Sequence, residues 1–258
     1  MIALIVQARV GSTRLPEKVL RPLAGKSMLQ WELERLRHAK KIDRFVVATT
    51  GKSNDDPVAS LAQTAGFEVF RGNETDVLDR YYQAAKDAKA DVVVRVTGDC
   101  PLHEGAIVDL VVERFLEKRV DYTKQPENYP EGLDTEVFSF AALERAQREA
   151  RLPSEREHVT PFIGNHPDLF AVDQPWMEGA GDYRNYHWSV DTEADFRFVQ
   201  AIYAVLGANG TMFGMQDVLD ILKKQPHLLK INRGGTGYEG LEKSRREDEA
   251  WQNNHGEI

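Results

Sequence analysis

The sequence predicts an α/β fold: a mostly parallel sheet with helices on both faces. Short apolar runs rich in Val and Ile alternate with amphipathic segments along the first half of the chain. The amphipathic segments carry leucines at helical spacing. The resulting β-α-β-α-β order joins strands through helical crossovers, which sets successive strands parallel and covers both faces of the sheet.

IALIVQ, from Ile2, reads as a buried strand. SMLQWELERLRHA, from Ser27, reads as a helix with Leu29, Leu33 and Leu36 on one stripe and Ser27 at its N-cap. RFVVATT, from Arg44, is the next strand. DPVASLAQTAG, from Asp56, is a short helix with Pro57 at its first position and Gly66 just past its end. FEVF, from Phe67, is a strand, and TDVLDRYYQAAKDA, from Thr75, a helix. DVVVRVTGDCPL, from Asp91, is an apolar strand ending in a polar turn. The pattern loosens after about Val120, where YTKQPENYPEGLDTEVFSF reads as loop and strand. A helix follows from Ala141, and HWSVDTEADFRFVQAIYAVL reads as strand, turn and helix. The expected organisation is one domain over 1–258, an extension at about 120–140 within it, and a charged tail at 243–258.

The 258 residues are 41% hydrophobic, with a formal net charge of −8 and a pI near 5.5. This balance argues against a general nucleic-acid surface but permits a local basic pocket. No apolar run approaches a membrane span, so no membrane partner is expected. The chain starts without a basic region and cleavage site, and its single cysteine, Cys100, fits a reducing compartment. A cytoplasmic location is expected.

Several motifs carry little. Gly25-Lys26-Ser27 ends like a phosphate loop, but Leu20 stands where the motif needs its first glycine, so a turn into a helix cap is expected. Gly235, Gly237 and Gly240 fit G-x-G-x-x-G but open no βαβ helix. Asn209-Gly210-Thr211 is a sequon without secretory context, and His158, His166 and His187 lack zinc spacing.

QARVGSTRLPEKVL says more. It begins where the first strand ends, at the edge where such sheets bind ligands. Gly11 and Ser12 suit a tight loop whose N–H groups face an anion, and Arg9, Arg14 and Lys18 add charge suited to phosphate. A solvated basic loop is the plainer alternative to such a triphosphate cradle. Asp99 follows the strand Val92–Val96 through Thr97-Gly98, and Asp191 follows Trp188-Ser189-Val190 in the same manner. Each is a candidate metal ligand or a helix cap.

A-R-x-G-S-x-R-L-P-x-K-x-L, from Ala8 to Leu20, resembles the opening signature of the cytidylyltransferases that make CMP-activated sugar acids. VFRGNETDVLDRYYQAA, VVRVTGDCPL, PEGLDTEVFSFAALERA, EREHVTPF and WSVDTEADF resemble the spore coat polysaccharide branch of that family. The resemblance implies a Rossmann-like, GT-A-like nucleotidyltransferase fold in three layers, a small dimerisation extension and a homodimer. It implies attack by a sugar hydroxyl on the α-phosphate of CTP, assisted by Mg2+, with release of pyrophosphate. Ala8, Arg9, Gly11, Ser12, Arg14, Lys18, Arg71 and Thr97 would then meet the nucleotide. Arg9, Lys18 and Asp99 would act in catalysis, and Asp99 and Asp191 would hold the metal. Tyr129, Asp134, Glu136, Arg156 and His158, in the irregular second half, are candidates for the sugar. Glu17 stands where the family usually has glycine before the lysine, and Thr97 stands where KDO-type enzymes have glutamine. The alternatives are another nucleotidyltransferase or glycosyltransferase of this fold, or a catalytically silent nucleotide-binding scaffold.

Overall fold

Val, Ile and Leu fill Ile2–Gln7 (β1), and Ala3–Val6 are wholly buried, so this strand takes an interior place in the sheet. The coordinates form a computed structural model that describes residues 1–12, 14–207, 212–232 and 239–256. The Asn209-Gly210-Thr211 sequon, Gly235 and Gly237 lie outside the described residues.

After β1 the chain runs through a loop and a 3-10 turn at Lys18–Leu20 into two short paired strands, β2 (Pro22–Leu23) and β3 (Lys26–Ser27). Ala24 and Gly25 turn between them in the left-handed region, so Gly25-Lys26-Ser27 is a hairpin leading into a helix. Ser27 caps α1 (Met28–Leu36) by accepting the Gln30 N–H, and Leu29, Leu33 and Leu36 are fully buried as their spacing predicts. β4 (Arg44–Thr50), α2 (Asp56–Thr64), β5 (Glu68–Gly72), α3 (Val77–Asp87) and β6 (Val92–Thr97) then alternate as expected.

The second half holds α4 (Gly105–Lys118), β7 (Tyr122–Lys124), β8 (Glu136–Ser139), α5 (Phe140–Glu149), α6 (Pro153–His158) and α7 (Pro161–Gly164). β9 (Val172–Asp173), α8 (Glu193–Leu206), α9 (Met215–Lys224) and α10 (Glu239–His255) complete the described chain. The seven-stranded sheet runs β5-β4-β1-β6-β8-β7-β9. β5, β4, β1 and β6 pair in parallel, while β8 is antiparallel to both neighbours. One face is packed by α1, α2, α4, α8 and α9, and the other by α3, α5 and α7. This is the expected three-layer, mostly parallel architecture.

Two expectations need correction. The 120–140 stretch is not an appendage outside the core: it supplies β7 and β8, and Tyr122, Leu133, Val137 and Phe138 are buried. Trp188-Ser189-Val190 forms no strand of the sheet; only an isolated bridge joins His187 to Glu131 there. The charged tail forms the helix α10, largely exposed among its described side chains, with Asp248 accepting the Ser154 N–H of α6 and Ser244 buried against His158. Arg80 of α3 is buried, and its guanidinium donates to the carbonyls of Asn73 and Glu74.

Candidate active site

The first loop meets its acids across the fold rather than along the chain. Asp55, at the start of α2, accepts the Val10 N–H at 2.7 Å and the Thr50 hydroxyl, which pins the loop to β4. Ser12 accepts the Leu15 N–H at 3.3 Å and tightens the turn. A Cβ on Gly11 would meet nothing within 4 Å, so the loop leaves open space at that point. Glu17 sits in the left-handed region, φ 55°, and the chain turns there into Lys18–Leu20. A glycine would adopt this backbone angle without the steric cost that the Glu17 Cβ brings.

Lys18 is the centre of the site. Its ammonium donates to Asp99 Oδ2 at 2.8 Å, to Asp191 Oδ1 at 2.9 Å and to the Val190 carbonyl at 2.9 Å. Arg14 adds an ion pair to Asp191 Oδ2 at 2.9 Å. Burial penalises the Lys18 ammonium, but the Asp99 and Asp191 carboxylates outweigh it and raise its pKa. The converse holds at Asp99: burial pushes its carboxyl up, Lys18 more than reverses that, and the Thr97 hydroxyl helps.

Two elements deliver the carboxylates. Asp99 follows β6, as the sequence suggests. Gly98 donates to the Gln7 carbonyl at 2.8 Å, and a Cβ there would lie 2.8 Å from Ala8 Cβ and 3.0 Å from Gln7 O. Glycine is therefore required for the turn to approach β1 this closely. Asp191 arrives by a loop rather than a strand. The Val190 N–H donates to the Asp99 carbonyl at 2.9 Å, which ties the two segments together. Gly132, φ +94°, presses on Trp188 and Ser189 from behind, where a Cβ would meet Ser189 N at 2.5 Å. Asp191 is not a helix cap. Thr192 caps α8, and Asp195 accepts the Asp191 and Thr192 N–H groups. His187 braces Asp195 and Glu131. Burial pulls its pKa down, but those two carboxylates outweigh it and raise the value to about 10.

Thr97, whose hydroxyl reaches Asp99, borders this cluster, and the other expected residues make their contacts outside it. Arg9 lies between the Glu74 carbonyl at 3.5 Å and Glu157 at 4.0 Å. Arg71 donates to the carbonyls of Thr50 and Lys52 and to Asp56, so it holds the loop after β4. Thr97 stands one turn before Cys100, its hydroxyl 3.5 Å from Sγ. Tyr129 packs half-buried against the core on the α1 side. Asp134 accepts from Gln125 and Gly132, and burial pushes its pKa up to about 6. Glu136 accepts from Arg95, Tyr122 and Thr160; burial raises its pKa, and these partners bring it below the ordinary range. Arg156 donates twice to Asp76 and once to the Gln147 carbonyl. His158 contacts Ser244 at 2.8 Å, and burial lowers its pKa. Among the described residues no hydrogen bond joins any two of the five sugar candidates.

Glu32 was missed by the sequence reading. It lies wholly buried in α1, accepts the Cys100 N–H at 3.0 Å on Oε2, and burial pushes its pKa well up. It supports the Asp99-Cys100 turn from below. The signal was present: Glu32 occupies the same helical stripe as Leu29, Leu33 and Leu36. Cys100 itself is buried, and that burial, with Asp99 and Glu32 nearby, raises its thiol pKa, so it is no thiolate nucleophile.

The family model described as cytidylyltransferase matches residues 3–205. An uncharacterised protein of Methanocaldococcus jannaschii is 40% identical over 230 residues, covering 88% of this chain and 93% of that protein. Spore coat polysaccharide biosynthesis protein SpsF of Bacillus subtilis is 34% identical over 232 residues, covering 87% of this chain and 95% of its own. Among solved structures, a cytidylyltransferase from Leptospira borgpetersenii superposes with a TM-score of 0.82 at 33% identity, covering 88% of this chain and 96% of that one. The chain belongs to the cytidylyltransferase family and is a nucleotidyltransferase.

Proposed function

We propose that the protein transfers CMP from CTP to a sugar hydroxyl, for surface polysaccharide or glycoconjugate synthesis in the cytoplasm. The convergence of Lys18, Arg14, Asp99 and Asp191 at the carboxyl end of β6 carries this reading. The sugar oxygen forms the new bond to the α-phosphorus, the bond to the bridging oxygen breaks, pyrophosphate leaves, and the hydroxyl proton is lost. Arg9, Arg14 and Lys18 neutralise phosphate charge, with Ala8, Gly11 and Ser12 lining the triphosphate, while Arg71 and Thr97 serve the nucleoside. Asp99 and Asp191 fit magnesium, which takes one or two carboxylates together with phosphate oxygens and water. When bound, the metal would offset triphosphate charge and polarise the α-phosphate.

The acceptor is an acidic or deoxy sugar, the class the resemblance implies, with Tyr129, Asp134, Glu136, Arg156 and His158 as the candidate contacts. Arg156 already holds Asp76, so it would receive a sugar carboxylate by exchanging one carboxylate for another. Two copies associate as a homodimer through the partly exposed positions of 120–140, Lys124, Gln125, Glu127 and Tyr129 among them. The test is pyrophosphate release from each of the four nucleoside triphosphates with magnesium and a panel of acidic, deoxy and neutral sugars. Release dependent on CTP and one sugar class supports the reading; no sugar-dependent release with CTP overturns it.

A further inference from the structure

The Lys18 ammonium has three N–H donors and no more. All three are used, by Asp99, Asp191 and the Val190 carbonyl, at 2.8–2.9 Å. In this arrangement Lys18 has no donor left for a phosphate. The two carboxylates facing each other are balanced by two cations, Lys18 and Arg14, so the pair has no uncompensated negative charge to attract a third. A divalent ion bridging Asp99 and Asp191 would need the space and the oxygens that the ammonium now takes. The carboxylates themselves are fixed from behind. The Val190 N–H holds the Asp99 backbone, and Asp195 holds the Asp191 backbone. Lys18, by contrast, reaches the pair on a flexible four-carbon stem that can swing without moving either aspartate.

We propose that Lys18 keeps the metal's place between Asp99 and Asp191 in the nucleotide-free protein, so that the cation enters only as a triphosphate draws the ammonium away. This rests on the reading of Asp99 and Asp191 as metal ligands. One side chain then does two jobs in sequence: it blocks metal before substrate binds and grips phosphate afterwards. The consequence is coupling. Nucleotide and metal bind together, and metal alone binds weakly, because removing Lys18 from the pair is part of the cost.

The test is Mn2+ binding by the full chain, read by electron paramagnetic resonance of free Mn2+ without nucleotide, and by water-proton relaxation with CTP. Wild type is expected to bind Mn2+ weakly alone and to form a ternary complex with CTP. Lys18→Met should bind Mn2+ alone with affinity higher by roughly tenfold or more, since a unit charge in contact with the ligands has gone. Adding Asp99→Asn to that variant should remove the gain. If Lys18→Met does not fold, Lys18→Gln, which keeps a donor for the Val190 carbonyl, is read the same way. A ternary complex in wild type with no tightening in the Lys18 variant overturns the place-keeping proposal and leaves the metal site standing. No ternary complex in wild type, or a gain that survives Asp99→Asn, overturns the metal-site reading and this proposal with it.

Discussion

Gly98→Ala tests how the fold aims Asp99. The added Cβ would lie 2.8 Å from Ala8 Cβ, 3.0 Å from Gln7 O and 3.2 Å from Leu29 Cδ1. Carbon atoms in contact prefer about 3.5–4.0 Å, so the overlap is several tenths of an ångström. The first two neighbours are strand backbone and a Cβ, which cannot rotate away, so the turn itself must move outward. Overpacking of this kind costs about 1–3 kcal/mol. The loss of chain freedom in the unfolded state returns about 0.4–1 kcal/mol. The net loss is about 0–2.6 kcal/mol, about 1.3 kcal/mol at mid-range, or roughly 3–5 °C in melting temperature for a chain of this size. Turnover should fall much further, because misplacing a reacting group by about 1 Å costs on the order of 100-fold. Urea denaturation and pyrophosphate release read the two effects separately. A variant more stable than wild type refutes the close approach, and one with wild-type turnover refutes the claim that the approach positions the Asp99 carboxylate.

The remaining predictions concern Glu17, His187 and Lys18. Glu17→Gly relieves a left-handed residue and should raise stability by up to about 1 kcal/mol in denaturant unfolding, without loss of turnover; destabilisation would show that the Glu17 side chain contributes more than its backbone costs. His187, only 9% exposed, has its folded pKa raised to about 10, above its unfolded value near 6.5. Its contribution is therefore complete below about pH 6.5 and is lost as pH rises through about 10. Because Glu131 is 36% exposed, the loss is discounted to about 2 kcal/mol, and His187→Gln should flatten that slope; an unchanged slope would place the titration elsewhere. Lys18→Ala should stay folded and lose roughly 100- to 1,000-fold in turnover, and a folded variant with wild-type turnover would exclude Lys18 from the phosphate cradle.

Local chemistry made the first half legible. Capping at Ser27, Pro57 at the start of α2 and Gly66 after it, and the apolar β1, β4 and β6 all follow from short-range rules, and the structure keeps them. Asp99 was readable because it follows an apolar strand. The second half was harder because its contacts are long-range. α4 lacked a cap that would announce it, since Glu104 makes no side-chain bond to its N-terminus. β7 and β8 are short and antiparallel to each other, so no crossover helix joins them. Asp191 was found, but for an incomplete reason: a hydrogen bond to the Asp99 backbone and a glycine pressed against Trp188 bring it in, not a strand. The pairing of these acids with the first loop is not written in local spacing, because Asp55, Asp99, Glu157 and Asp191 come from four distant segments.

The central claim is that Asp99 and Asp191 form one metal-binding pair served by Lys18. Magnesium titration of pyrophosphate release in Asp99→Asn and Asp191→Asn tests it most directly. The account predicts that each variant loses metal-dependent turnover, Asp99→Asn the more severely because it ends the β6 strand directly, while metal-free triphosphate binding survives on the remaining cations. Wild-type magnesium dependence in Asp191→Asn would contradict it, and would leave the loop that carries Asp191 as an anchor for Lys18 alone.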